Sequence, residues 1–174
     1  MHPLIIIAAY TQDHVIGNKG KLPWNIPAEM KHFIATTERS RVIVGRKTFE
    51  SMHKSARKRC IVLTHNKEMV NDTHTASSLS EAVSYCELQY KRDKWLSDAR
   101  PIFIAGGASV YEQAMPYADR MYLSFIHKQY EGDAFFPKWN NEDWSEFQVD
   151  TSNEEFEIVT YFRKVAPQRL DRKE

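Results

Sequence analysis

The sequence predicts an α/β fold: one domain with a mostly parallel central sheet, helices on its faces and a closing antiparallel strand pair at the C-terminal end. Three observations predict it. Four short, continuous apolar runs, at 4–9, 41–44, 60–64 and 102–105, have the pattern of strands buried on both faces. Helical stretches at 27–37, 47–52, 79–90 and 108–114 alternate with them, as right-handed strand–helix–strand crossovers require. The pattern then changes to two strand-like runs, 121–127 and 156–164, separated by the polar, Trp-containing stretch 140–153.

Each element has a local reason. The run Leu4-Ile5-Ile6-Ile7-Ala8-Ala9 lacks the basic start and the length of a signal peptide or membrane span, so it reads as a buried first strand. Pro27 opens the first helix, where its missing N–H costs nothing. The second and fourth helices follow strands that end in Gly45 and in Gly106-Gly107. The charged segment 91–100 reads as a solvated loop or helix extension. The domain is expected to span 1–165, with 166–174 a disordered tail.

Composition narrows the function. A chain of 174 residues with 42% hydrophobic and 27% charged residues folds around one core without needing disulfides or metals. A net charge of +1 provides no field for nucleic acid or a membrane as partner, which leaves a small ligand. Two cysteines, Cys60 and Cys86, make no disulfide framework and suit a reducing cytoplasm. The seven histidines, at 2, 14, 32, 53, 65, 74 and 127, show no paired ligand spacing, so no metal is expected and most read as surface residues. Trp95, Trp139 and Trp144 read as packing or loop residues, and no Ser or Cys lies in a nucleophile context.

Chemistry concentrates in three places. After the first strand, Ile16, Gly17, Asn18, Gly20 and Lys21 form a mobile loop that ends in Leu22-Pro23-Trp24, bulky groups able to close over a ligand. Glu29 follows in the first helical turn, where an ordinary reading is an acid favoured by the helix dipole. Helical spacing instead sets it on one face with Phe33, flanked by Met30, so that an apolar wall holds a carboxylate suited to a cationic or amide-bearing ring. At Gly45-Arg46-Lys47-Thr48 two cations and a hydroxyl stand at a helix start, a place for phosphate. Gly106-Gly107-Ala108-Ser109-Val110-Tyr111 repeats the strand–glycine–helix junction, and both lie at the carboxyl ends of parallel strands, where open α/β sheets bind dinucleotides.

The ordered set of these motifs, with Glu131-Gly132-Asp133-Ala134-Phe135-Phe136-Pro137 completing it, resembles dihydrofolate reductase over nearly the whole chain. The resemblance implies NADPH-dependent reduction of dihydrofolate by a cytoplasmic monomer with no nucleic-acid or membrane partner. It makes Glu29 the pterin-binding carboxylate and Ser124, where the family more often has Thr, its hydroxyl partner, with Leu22 and Trp24 completing the catalytic set. Ile7, Ala8, Met30, Phe33, Met52, Ala105 and Tyr111 would line the pterin and benzoyl pocket. Ala9 and the loop of Ile16, Gly17, Asn18, Gly20, Lys21 and Leu22 would meet nicotinamide and ribose. Gly45, Arg46, Lys47 and Thr48, with Ala105, Gly106, Gly107, Ala108, Ser109, Val110 and Tyr111, would hold the phosphates, and Leu63, Thr64, His65 and Asn66 the adenosine end. Asp133 resembles the acid that steadies the closed loop.

Several positions depart from the family pattern. Lys58, between Arg57 and Arg59, stands where an Arg usually takes the substrate's glutamate carboxylate, and Arg57, Lys58 and Arg59 are all candidates for that role. Ala105 replaces a larger branched residue, Ser109 replaces a cation near the adenosine phosphate, and the segment between Cys86 and Pro101 is long. Glu29 with Ala105 resembles antifolate-resistant relatives, which implies low sensitivity to trimethoprim. Two rivals remain: a same-fold reductase of a riboflavin-pathway intermediate, against which Leu-Pro-Trp-Asn and Pro-Ala-Glu argue, and a nucleotide-binding module without chemistry, which has no need of Glu29 beside Phe33.

Overall fold

The computed structural model describes residues 2–66, 73–93 and 100–171. In chain order the elements are β1 (Leu4–Thr11), β2 (Val15–Gly17), α1 (Pro27–Thr37), β3 (Arg41–Gly45), α2 (Arg46–Ser51), α3 (Lys54–Arg57), β4 (Cys60–Leu63) and β5 (His74–Ala76). They continue with α4 (Leu79–Arg92), β6 (Ile102–Ile104), α5 (Ala108–Ala114), β7 (Arg120–Ile126), β8 (Ala134–Phe135), β9 (Trp144–Asp150) and β10 (Phe156–Arg163). Eight strands form one sheet in the order β5-β4-β3-β6-β1-β7-β10-β9, and β2 pairs with β8 in a separate ribbon. Pairing from β5 through β7 is parallel, and β10 and β9 are antiparallel additions.

The alternation along β1 explains the two layers. Leu4, Ile6, Ala8 and Tyr10 join the core that α4 supplies with Leu79, Ala82, Val83 and Cys86, and α5 with Val110 and Ala114. Ile5 and Ile7 point to the other face, where Phe49 of α2 and Phe33 of α1 pack with Val42, Val44 and Phe103. The second face is the one that carries the site.

The mostly parallel sheet with an antiparallel end agrees with the sequence, with two corrections. The closing element is three strands: β9 occupies part of the stretch 140–153, and every residue of it after Trp144 is exposed, since an edge strand paired only with β10 needs no apolar alternation. The loop after β1 is not free, because β2 pairs it with β8. Beyond the last strand, Leu170 packs on the core and the Gln168 N–H donates to the Pro116 carbonyl at 3.0 Å. The helix expected at 47–52 starts one residue earlier and stops at Ser51, and α4 runs past 90 to Arg92. Both cysteines are buried and free, and Trp144 is buried against Trp139. Trp95 lies outside the described residues. His2, His14, His32 and His74 are half-buried rather than exposed. Among the described residues no cluster of potential ligands could hold a metal.

Candidate active site

Register across the parallel strands assembles the site. Ala9 lies opposite Ser124, Ile6 opposite Ile104, Ile43 opposite Ile104 and Gly45 opposite Leu63. The carboxyl ends therefore run in a row from Ser124 through Ala9, Ala105 and Gly45 to Thr64. The β7 end presents the hydroxyl, and β6 and β3, beyond β1, carry the glycine turns.

Glu29 is held over that row by α1. Its helix begins at Pro27 without a side-chain cap, and the Glu29 N–H closes the first turn on the Ile26 carbonyl at 3.1 Å. Only 7% of Glu29 is exposed. Burial raises its carboxyl above the ordinary glutamate range, and the Ser124 hydroxyl, itself buried, donates to it and offsets part of that rise. Tyr111 of α5 fixes the floor: its hydroxyl donates to the Ile7 carbonyl at 2.8 Å, and burial, with the charge of Glu29 adding, pushes its phenol far above the usual range. Ile7 is buried, and Phe33, Met52 and Ala105 pack half-buried on the same apolar face, whereas Ala8, expected to line the pocket, points to the core on the other face because neighbouring residues of a strand alternate.

A cleft of about 450 Å³ opens beside Glu29, lined by Leu22, Trp24, Asn25, Ile26, Pro27, Met30, Lys31 and Ile34. Trp24 is buried, and its indole N–H has no partner among the described residues. Leu22 and Met30 stay exposed on the cleft walls. Lys31 and Ile34 were missed by sequence reasoning; their one available signal was helical spacing from Pro27.

The loop carrying Ile16, Gly17, Asn18, Gly20, Lys21 and Leu22 is latched from the other side of the chain. The Lys19 N–H donates to both carboxylate oxygens of Asp133, at 3.1 and 3.2 Å, and the Asp133 N–H donates to the Gly17 carbonyl at 3.0 Å. Gly132 makes this approach possible, since a Cβ there would lie 2.4 Å from the Gly17 carbonyl oxygen.

The two glycine turns abut. The Gly45 N–H donates to the Gly106 carbonyl at 2.6 Å, and a Cβ on Gly107 would stand 3.3 Å from the Thr48 hydroxyl. Neither α2 nor α5 has a side-chain cap, so their first N–H groups have no side-chain acceptor at this cradle. Arg46 pairs with Glu50 at 2.8 Å one turn on, and Lys47 is exposed. Leu63 and Thr64 are half-buried and His65 and Asn66 exposed, next in the row, where Asn66 donates to the Thr64 hydroxyl at 3.2 Å. Ala108 is half-buried, Val110 buried, and Ser109 exposed with no charge to offer.

The three cations at 57–59 differ. Arg57 donates from Nε to the Met52 carbonyl at 2.8 Å and from its terminal nitrogen to the Glu50 carbonyl at 2.6 Å, and lies 5.1 Å over the Phe49 ring. Lys58 is exposed, and Arg59 has a buried Nε without a partner among the described residues.

The dihydrofolate reductase family model matches residues 3–166. Dihydrofolate reductase type A13 of Escherichia coli is 33% identical over 166 residues, covering 95% of this chain and 94% of that protein. Dihydrofolate reductase type 3 of Salmonella typhimurium is 32% identical over 148 residues, covering 84% and 85%. Dihydrofolate reductase from Enterococcus faecalis, solved in complex with NADP(H) and RAB-propyl, superposes with a TM-score of 0.77 at 28% identity and covers 94% and 97% of the two chains.

Proposed function

The chain belongs to the dihydrofolate reductase family, and from that premise we propose how its own residues carry out the reaction. It is an NADPH-dependent oxidoreductase that reduces 7,8-dihydrofolate to 5,6,7,8-tetrahydrofolate, the step that supports one-carbon and thymidylate metabolism. The observation that carries the assignment of roles is a buried carboxylate, Glu29, facing the Ser124 hydroxyl and lining an apolar cleft, in a sheet whose parallel strands end in two glycine turns.

The cradle fits an anionic dinucleotide: glycines at 45, 106 and 107 where a Cβ would be crowded, amides without side-chain caps, the Thr48 hydroxyl, and Arg46 and Lys47 beside them. Gly45, Arg46, Lys47, Thr48 and Gly106 to Tyr111 would hold the phosphates, Thr64 to Asn66 the adenosine end, and Ala9 with the latched loop the nicotinamide end. When bound, NADPH supplies a hydride to C6 of the pterin.

Glu29 as an anion accepts hydrogen bonds from the pterin's amino group and ring N–H, which orients the ring and favours protonation at N5. Ser124 holds the carboxylate in place. Leu22 and Trp24 close the cleft against water, raising the value of each polar contact inside it. Arg57, fixed by two backbone carbonyls beside Met52, takes the glutamate carboxylate in preference to the solvated Lys58; three of its N–H groups stay available. The enzyme acts as a monomer in the cytoplasm, a compartment that suits two buried free thiols. No helix among the described residues is long and apolar enough to cross a membrane.

The test is the loss of NADPH absorbance with dihydrofolate present and absent. Turnover is expected only with dihydrofolate, and NADPH is expected to outperform NADH in kcat/KM, since Arg46 and the 64–66 turn read the 2′-phosphate. Equal efficiency with the two cofactors would remove that role, and no substrate-dependent oxidation would remove the assignment.

A second expected result concerns inhibition. Trimethoprim is expected to bind weakly while dihydrofolate is accepted, because Glu29 is a methylene longer than Asp and Ala105 leaves out branched bulk on the same wall. Ala105→Ile returns three buried carbons at about 0.8 kcal/mol each, enough to tighten the inhibitor by roughly tenfold or more. Inhibition constants for the parent, Ala105→Ile and Glu29→Asp decide this; nanomolar inhibition of the parent, or no tightening in either variant, defeats it.

A further inference from the structure

The chain continues past β10, and past residues 3–166 that the family model matches, into the strap Ala166-Pro167-Gln168-Arg169-Leu170-Asp171. The reaction makes no use of this strap, yet it is docked. The Gln168 N–H donates to the Pro116 carbonyl at 3.0 Å, Leu170 packs on the core layer to which α4 and α5 contribute, and the Ser80 hydroxyl of α4 donates to the Asp171 carbonyl. Pro116 lies in the 3₁₀ turn Met115–Tyr117 by which α5 ends. A helix end leaves its last carbonyls without partners. Here Arg163, at the end of β10, takes those of Met115 and Ala118, and the strap takes that of Pro116.

The other side of α5 faces the cofactor cradle. A Cβ on Gly45 would lie 3.3 Å from a Val110 methyl, and one on Gly106 would lie 3.1 Å from the Tyr111 ring. Both glycine turns are thus seated against side chains of α5. With 7 residues, α5 spans about two turns, so a shift at its exit reaches Val110 and Tyr111 through close-packed neighbours.

We propose that the strap 166–171 is a positioning element for NADPH: docked, it fixes the exit of α5 and, through Val110 and Tyr111, the two glycine turns that hold the phosphates. The inference rests on the NADPH reading above. Undocking breaks no contact with the cofactor itself. It lets α5 drift and loosens the turns, so affinity for NADPH falls while the pterin end, set by Glu29 of α1 and Ser124 of β7, keeps its geometry. Linkage makes the coupling reciprocal: NADPH favours the docked strap by the factor by which the docked strap favours NADPH.

The experiment measures the Kd of NADPH and of dihydrofolate by quenching of tryptophan fluorescence, well below each protein's Tm, and kcat at saturating NADPH. The proteins are the parent, a deletion of 166–174, Leu170→Asp, Leu170→Met and Phe147→Ala, which gives up the ring stack on Phe162 at the edge of the sheet, outside α5 and the strap. The deletion and Leu170→Asp are expected to raise the NADPH Kd by roughly three- to tenfold, with dihydrofolate Kd and kcat close to the parent's. Leu170→Met should restore the parent's NADPH Kd, and Phe147→Ala should lower Tm with that Kd unmoved. In the parent, saturating NADPH should slow hydrogen exchange at the Gln168 amide by the same factor and leave the Ser152 amide, bonded to Asp150 in the β9–β10 loop, unchanged. Parental NADPH affinity in the deletion, an equal loss in Phe147→Ala, or Gln168 exchange indifferent to NADPH overturns the proposal. If neither strap variant folds, the exchange measurement on the parent decides alone. A parent that binds no NADPH overturns the cofactor reading instead.

Discussion

Glu29→Gln is expected to fold, to bind NADPH as the parent does, and to lose dihydrofolate turnover by roughly 10²- to 10⁴-fold. The amide keeps the shape of the carboxylate but presents an N–H where the pterin also presents one, and it carries no charge to favour a proton on N5. In the parent the rate should fall toward alkaline pH, since product formation takes up a proton; in the variant that dependence should flatten or move. A stability change of opposite sign should accompany the loss. Burial raises the Glu29 carboxyl above its unfolded value, so its contribution to stability is present below the unfolded pKa and is lost as pH rises through the folded one. Glutamine escapes that loss. The variant should therefore melt higher than the parent at about pH 8, with the difference vanishing near about pH 4. Turnover by Glu29→Gln close to the parent at pH 7 would remove the residue from the mechanism, and an unchanged Tm at both pH values would remove the electrostatic account.

Gly132→Ala carries the second large effect. Its Cβ would meet the Gly17 carbonyl oxygen and a Val15 methyl, both at 2.4 Å, and the oxygen is backbone that already accepts the Asp133 N–H. The clash forces the 131–133 segment away from the 15–19 loop and undoes the two Asp133 bonds to Lys19. Displacements of about 1 Å at a reacting centre cost roughly 10² in rate, and a loop held open also admits water. We expect kcat to fall by roughly that factor, folding stability to drop by about 1–3 kcal/mol, and the Lys19 amide to lose protection from hydrogen exchange. Asp133→Asn, which keeps one acceptor and the N–H, should fall between parent and Gly132→Ala. Normal kcat with full Lys19 protection in Gly132→Ala would sink the latch.

The parts of this molecule legible in the sequence are those where one residue type answers one local demand. Continuous apolar runs fixed β1, β3, β4 and β6 to within a residue or two because a strand covered on both faces tolerates little else. Pro27 and the residue count matched α1 end to end. Glu29 stood out by its apolar helical neighbours and the two glycine turns by their strand–glycine–helix spacing, while Asp133 came only with the family resemblance. What escaped notice lacks a composition of its own. β9 is written in Ser145, Glu146, Phe147, Gln148 and Val149, all exposed, and exists because β10 offers it hydrogen bonds. β2 and β8 are two or three residues each, below the length at which alternation has meaning. The docked tail depends on Leu170 finding a hollow far away in sequence. Arg57, Lys58 and Arg59 were indistinguishable as letters; only the fold tells which guanidinium the carbonyls of α2 hold.

The central place of β1 has a consequence for how the chain is made. β1 is held between β6 and β7, partners that leave the ribosome some hundred residues later: Ile5 faces Phe103 on one side and Arg120 on the other. Until synthesis passes Ile104 neither edge of a strand built from Leu4, Ile5, Ile6 and Ile7 has a partner, and until it passes Ile126 one edge still lacks its full partner. Closing such distant contacts is slow, and unpaired apolar edges invite other chains. The nascent chain thus carries unpaired apolar edges through the making of this sheet, and translation rate, chaperone supply and temperature are expected to affect the yield of folded enzyme.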